Sequence, residues 1–183
     1  MKVLGISGSL RRDSHNTRLL RAAAELVPDD VEFELWDGLK AVPPFDEDDE
    51  GSAPAGASEL SEAIAGADAI LIATPEYNSS IPGQLKNAID WVSRPVATAP
   101  IRNKPIAVIG ASTGMFGAVW AQAELRKVLA SAGARVLEGE LPVPTAHSRF
   151  DEAGRLIDEE LRERLGEVVL TVVGTGEAVH VAA

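Results

Sequence analysis

An apolar run at 3–6 opens into Ser7, Gly8, Ser9, Leu10, Arg11, Arg12, Asp13, Ser14, His15, Asn16 and Thr17, and a helical pattern follows at once. Backbone N–H groups at the start of a helix lack intrahelical partners, and the helix dipole adds partial positive charge, so an anion is stabilised there. The hydroxyls of Ser9, Ser14 and Thr17, the amide of Asn16 and the guanidinium of Arg11 add side-chain donors suited to a phosphate. A plainer role is open to the same residues, with Ser14 or Asn16 capping the helix and the arginines solvated. The chain has no GxxxxGKS or GxxxxGKT loop and no GxGxxG after its first strand, so a mononucleotide phosphate suits this turn better than a nucleoside triphosphate or a dinucleotide. The lone GxG at Gly174 and Gly176 has no strand before it and carries no weight.

Two further loops have chemistry-bearing composition. After the apolar run at 69–73 come Thr74, Pro75, Glu76, Tyr77, Asn78, Ser79, Ser80, Ile81 and Pro82, which hold the only tyrosine of the chain and lead into a helix through Leu85, Ile89 and Trp91. Pro82 suits a first helical turn, where a missing N–H costs nothing. After the run at 106–109 come Gly110, Ala111, Ser112, Thr113, Gly114, Met115, Phe116 and Gly117, whose glycines let backbone approach a flat ligand closely. A planar ring with a carbonyl and imide edge needs several backbone donors and acceptors, which small-residue loops supply. Each loop alone reads equally as an ordinary turn. Together, at one edge of a sheet, they describe a site for a flavin or a similar mononucleotide.

The elements that must position these loops follow from hydrophobic patterning. The runs at 3–6, 69–73 and 106–109 do not alternate, which is how strands covered on both faces of a parallel sheet read. Weaker strands are expected at 31–36 and 135–137. Between them lie helical sets: Leu19, Leu20, Ala23, Ala24 and Val27; Leu60 and Ile64; Phe116, Val119, Trp120 and Ala123; Leu161, Leu165, Val168, Val169 and Val172. Five alternating strand and helix units predict an α/β fold: a flavodoxin-like, doubly wound, five-stranded parallel sheet of order 2-1-3-4-5 with helices on both faces. In such sheets a ligand sits beyond the carboxyl ends of the strands at the switch point, here between the first and third. Residues 41–57 read as a long solvated acidic loop. One domain is expected over 1–173, with 174–183 as a frayed tail.

Composition narrows the chemistry. At 183 residues and 45% hydrophobic, the chain is long enough to bury one full core. It has no cysteine, so thiolate nucleophiles, CxxC redox pairs and thiolate metal sites are excluded, and any redox chemistry must come from a bound cofactor. A net charge of -11 without a basic cluster disfavours nucleic acid and anionic membrane surfaces as partners. No apolar stretch approaches the roughly 18 residues of a membrane span, and a soluble, cytoplasmic protein is expected.

The same stretches resemble a known family, the NADPH-dependent FMN reductases of flavodoxin-like fold, which includes quinone and chromate reductases. The resemblance lies in GSLRRDSHNT at 8–17, PEYNSSIPGQLKNAIDW at 75–91 and GASTGMFGAVWAQAELR at 110–126. It implies that Ser9, Arg11, Ser14, Asn16 and Thr17 bind the FMN phosphate. It further implies that Pro75, Glu76, Tyr77 and Asn78 flank the isoalloxazine, while Ser112, Thr113 and Gly114 meet its other edge. Arg126 resembles an arginine that joins subunit contacts near Tyr77, so a homodimer or homotetramer is implied.

The function expected is NAD(P)H-dependent: hydride from NADPH or NADH passes through FMN N5 to a small electron acceptor such as a quinone, in two alternating half-reactions. The cofactor carries the electronics, so no protein acid or base is assigned, and His15 and His147 read as surface residues. The alternative is a flavodoxin-like FMN-binding electron carrier without turnover of its own.

Overall fold

The computed structural model describes residues 1–180. Its five strands are β1 (Lys2–Ser7), β2 (Glu32–Trp36), β3 (Ala69–Thr74), β4 (Pro105–Ala111) and β5 (Arg135–Val143). All pair in parallel in the order β2-β1-β3-β4-β5, so the expected doubly wound topology is the one the chain adopts. The helices are α1 (His15–Ala24), α2 (Ala55–Ala65), α3 (Gly83–Val92), α4 (Val119–Ser131) and α5 (Glu159–His180).

Every residue of β3 and β4 is buried, which explains their non-alternating composition. Alternate side chains of each strand enter different layers. Leu4, Ile6, Ile70, Ile72, Ile106 and Val108 pack with Leu60 and Ile64 of α2, Leu85 and Ile89 of α3, and Leu125 and Leu129 of α4. Val3, Leu71, Ala107 and Ile109 pack on the opposite face with Leu19 and Leu20 of α1 and Leu165, Val169 and Val172 of α5. Truncating any of these buried leucines to alanine costs about 2–5 kcal/mol.

Four expectations are corrected. β5 extends past 137 to Val143, through exposed Glu138, Gly139 and Glu140 and a register shift against β4. Gly139 has φ +100, and Arg126 Nη1 donates to its carbonyl at 2.6 Å. An exposed, bulged edge strand has no apolar run to announce it.

The phase of α4 also differs. Its buried residues are Ala121, Gln122, Leu125 and Leu129, whereas Phe116 and Trp120 are exposed and pack edge to face with ring centroids 4.9 Å apart. The helix starts only at Val119 because Gly117 (φ +58) and Ala118 (φ +63) are left-handed. A Cβ on Gly117 would lie 2.5 Å from the Val143 nitrogen, so the turn needs glycine both for its dihedral and for the close approach of β5.

Residues 41–57 are less loop-like than their composition implies. Short 3-10 turns occupy Gly38–Ala41 and Glu47–Ser52, and α2 begins at Ala55. The Pro43 carbonyl accepts from Asn87 Nδ2 at 2.7 Å and Trp91 Nε1 at 2.9 Å, and the Phe45 ring packs edge-on against Trp91. Residues 46–49 are exposed.

Finally, residues 174–180 continue α5 instead of fraying. Gly176 is buried where the helix crosses Met1 and Ala69. Small residues permit that contact and leave no apolar stripe to read. The rest of the tail, 181–183, lies outside the described residues.

Candidate functional site

The carboxyl ends of β1, β3 and β4 converge as the topology requires. Ser7 stands opposite Ala73, and Thr74 opposite Gly110. The three loops that leave these strands enclose an open cleft of about 250 Å³, lined by Ser9, Arg11, Ser14, His15, Asn16, Pro75, Glu76, Tyr77, Ala111, Ser112 and Thr113.

The first loop is built around α1. Ser14 is its N-cap, buried, with Oγ accepting from the Asn16 N–H at 3.2 Å, so the capping role open to it is real. Asn16 is buried as well, and its amide turns away to β4: Nδ2 donates to the Ala111 carbonyl at 3.0 Å, and Oδ1 accepts from the Ala111 N–H at 2.8 Å. Thr17 Oγ1 donates to Ser7 Oγ at 3.0 Å, behind the loop, and Thr17 does not line the cleft. Ser14 and Asn16 line the cleft while held in these contacts, and Ser9, Arg11 and His15 complete this loop's share of the lining. Among the described residues the Arg11 guanidinium has no ion-pair partner.

The second loop is a tight turn. Asn78 (φ +53) and Ser79 (φ +60) are left-handed, and Tyr77 and Ser80 exchange N–H···O bonds of 3.0 and 3.1 Å across them. This paired geometry is that of a two-residue hairpin turn with positive φ at both central positions. It lifts Tyr77, 53% exposed, to the mouth of the cleft and carries Asn78 outside the lining. Glu76 reaches across to α4, where Oε2 accepts from the Trp120 and Ala121 N–H groups, each at 3.1 Å. A carboxylate at a helix N-terminus is stabilised by the same dipole that favours bound anions.

The third loop is braced by β5. Ser112 N–H donates to the Val143 carbonyl at 3.1 Å, and Ser112 Oγ accepts from the Gly114 N–H at 3.0 Å. The Gly114 carbonyl accepts from Thr145, so Gly114 shapes the turn and lies outside the lining. Gln122, fully buried, donates to the Gly117 carbonyl at 3.1 Å and accepts from the Leu141 N–H at 3.3 Å. Sequence patterning missed it, because one polar residue on a helix face gives no signal until its partners are known.

His15, expected at the surface, is half-buried and lines the cleft. Its ring stacks on Phe150 with centroids 5.9 Å apart. Burial, and then the nearby Arg11, Arg18 and His147, push its pKa below the usual histidine value. Arg11 and Arg18 thus bring positive charge near this ring in an acidic chain, while the Glu76 carboxylate lines the same cleft.

The fold and cleft define a flavodoxin-like protein with an open cleft at its switch point. Its relatives narrow the class. The model of the NADPH-dependent FMN reductase family matches residues 1–148. An NAD(P)H-dependent FMN reductase of Pseudomonas aeruginosa is 45% identical over 165 residues, covering 89% of this chain and 88% of that protein. A 2-hydroxy-1,4-benzoquinone reductase of a Burkholderia species is 40% identical over 166 residues, covering 90% of each. The solved structure of a flavoenzyme NAD(P)H:(acceptor) oxidoreductase from Paracoccus denitrificans superposes with a TM-score of 0.84 at 34% identity, covering 97% of both chains. The chain belongs to the NADPH-dependent FMN reductase family. It is an oxidoreductase with FMN as cofactor and NAD(P)H as co-substrate, which decides against the electron carrier without turnover.

Proposed function

We propose that this chain uses NAD(P)H to reduce a small quinone-type acceptor in two half-reactions that share one opening. The observation that carries this reading is the single cleft at the β1/β3 switch point, where all three loops meet and no second nucleotide fingerprint accompanies it. Among the relatives, one is named for reduction of a benzoquinone. FMN, when bound, supplies a ring that accepts hydride at N5 and gives up electrons again, so the protein's task is placement.

In this reading Ser9, Arg11 and the first-turn amides of α1 hold the phosphate. Ser14 and Asn16 line the cleft while fixing the loop to α1 and β4, and Thr17 supports it through Ser7. Pro75, Glu76 and Tyr77 border one edge of the ring and Ser112 and Thr113 the other, with Asn78 and Gly114 setting the turns that present them. Tyr77 at the mouth offers an aromatic surface against which a nicotinamide or quinone ring can be held. A homodimer or homotetramer, with Tyr77 and Arg126 near its interface, is part of the proposal. The exposed rings of Tyr77, Phe116 and Trp120 support it. So is a cytoplasmic location, where a nicotinamide reductant is at hand.

The test is anaerobic. The FMN-loaded protein is mixed with NADPH, then with a benzoquinone, while the flavin absorbance is followed. Bleaching by the first and recovery with the second is expected, with parallel double-reciprocal lines in the steady state. Intersecting lines would remove the shared-opening mechanism, and recovery too slow to support turnover would remove the quinone.

A further inference from the structure

The charges of this chain are unevenly placed. Residues 41–85 contain nine Asp or Glu and no Lys or Arg, whereas residues 86–135 contain seven Lys or Arg and two Asp or Glu. The two stretches have net charges of -9 and +5 inside a chain of -11. α2 lies in the first, α4 and most of α3 lie in the second, and all three helices pack on the same face of the sheet. That face is acidic on one side and basic on the other.

On the acidic side is the short turn Glu47–Ser52, with Asp46 before it. Residues 46–49 are exposed, and none of the five carboxylates at 46–50 has an ion-pair partner among the described residues. On the basic side Lys86, Arg94, Arg102 and Lys127 line a groove of about 300 Å³ between α3 and α4. Lys86 is bonded to Asp90, the one carboxylate of that lining. Arg94, Arg102 and Lys127 have no ion-pair partner among the described residues. Arg94 also lines an adjoining hollow of about 360 Å³ together with Glu50, so it stands between the acidic turn and the basic groove.

We propose that this face is where two copies of the chain meet, the acidic turn at 46–50 of each copy seated against the groove formed by Lys86, Arg94, Arg102 and Lys127 of the other. A two-fold contact needs a surface complementary to itself, and a surface with adjacent acidic and basic halves is one. A two-fold axis passing near Arg94 exchanges the two halves, so the contact forms twice. Trp120 and Lys127 lie seven residues apart on α4, hence on one stripe of the helix, and the exposed ring of Trp120 continues onto the same surface. Exposed ion pairs add little affinity one by one and are screened by salt. What they decide here is arrangement: copies of a chain of -11 repel in most orientations, and this one sets opposite charges together. The inference rests on the homodimer proposed above and gives it a face and a symmetry.

The experiment is sedimentation equilibrium, at low salt, of the FMN-loaded protein and of two charge-reversed variants. One variant combines Glu47→Lys, Asp48→Lys and Asp49→Lys, and the other combines Arg102→Glu and Lys127→Glu. All five side chains are exposed, and FMN uptake checks that each variant folds. The wild type should dimerise. Each variant alone should self-associate at least ~10-fold more weakly, because its reversed charges meet like charges twice across the axis. An equimolar mixture of the two should recover the association of the wild type, since every reversed surface then finds its complement. If a multiple variant fails to take up FMN, the single changes Asp48→Lys and Lys127→Glu are compared and mixed in the same way. A wild-type dimer that neither reversal weakens, or weakened variants whose mixture does not associate, overturns the proposal and leaves the homodimer standing. A wild-type protein that stays monomeric overturns both.

Discussion

Asn16 and Ala111 join two loops of the cleft through a reciprocal pair of buried hydrogen bonds, 3.0 and 2.8 Å long. One residue lies in the first turn of α1 and the other ends β4, 95 positions apart in the chain. Asn16→Ala leaves both the N–H and the carbonyl of Ala111 unpaired, a loss of about 2–4 kcal/mol. Asn16→Asp keeps the acceptor and loses the donor, so it should fall between wild type and Asn16→Ala. Urea denaturation of the three apoproteins measures the order.

Glu76 acts at a distance of the same kind, by accepting from the Trp120 and Ala121 N–H groups at the start of α4. Glu76→Ala should lower stability by about 1 kcal/mol, and Glu76→Gln, which keeps an acceptor oxygen without charge, by less. Added salt should narrow the gap between wild type and Glu76→Gln in thermal melts, since the dipole interaction is screened.

Arg11 bears on binding alone. Its side chain is exposed and has no ion-pair partner among the described residues, so Arg11→Ala should leave unfolding midpoints unchanged. FMN affinity should fall about 10- to 100-fold, the worth of a charge-assisted hydrogen bond. Riboflavin affinity should change much less, which separates a phosphate contact from a ring contact.

Gly117→Ala places a methyl group 2.5 Å from the Val143 nitrogen at a φ of +58. Strain and overpacking together should cost about 2–4 kcal/mol. Because the displaced backbone adjoins the third loop of the cleft, weaker FMN binding should accompany the lower melting temperature.

The pH dependence of the apoprotein follows from His15, whose pKa in the folded chain lies below its ordinary 6.5. Between the folded value and 6.5 the unfolded chain holds more protons, so this residue makes stability rise with pH across that window and fall as the pH drops through it. Relative to His15→Gln, the wild-type apoprotein should be more stable at about pH 7.5 than at about pH 5.5. Taking the difference between the two proteins at each pH cancels the shared carboxylates. An unchanged difference would show that His15 keeps its ordinary pKa in the fold.

How much of this was legible depended on where each signal resides. β3 and β4 declared themselves because both of their faces are covered, so their composition alone reports their position. That located the switch point, and with it the three loops. What stayed hidden arises from partners far apart in the chain. The bonds from the α4 N–H groups to Glu76 and from Thr17 to Ser7 leave no mark in the sequence, because each joins segments that only the fold brings together. Phe116 and Trp120 fit a helical stripe, but the left-handed pair Gly117 and Ala118 sets the helix start after Phe116 and turns both rings outward. The C-terminal end of α5 packs through Gly176, a residue that scores as a helix breaker and is there for closeness.

The bulged outer strand has a bearing on how copies of the chain meet. Glu138 and Glu140 flank the bulge on β5, and Glu32 and Glu34 lie on β2, the strand at the other margin of the sheet. Open margins invite strands of other molecules to add on, the route by which sheets grow into aggregates. Here the β5 margin is broken by a glycine kink that spoils the ladder, with Arg126 bonded to the Gly139 carbonyl, while Glu32 and Glu34 on β2 pair with Lys2. Strand-by-strand addition at the β5 margin is therefore disfavoured by its kinked ladder. In the proposed homodimer or homotetramer, copies would meet instead through the exposed rings of Tyr77, Phe116 and Trp120.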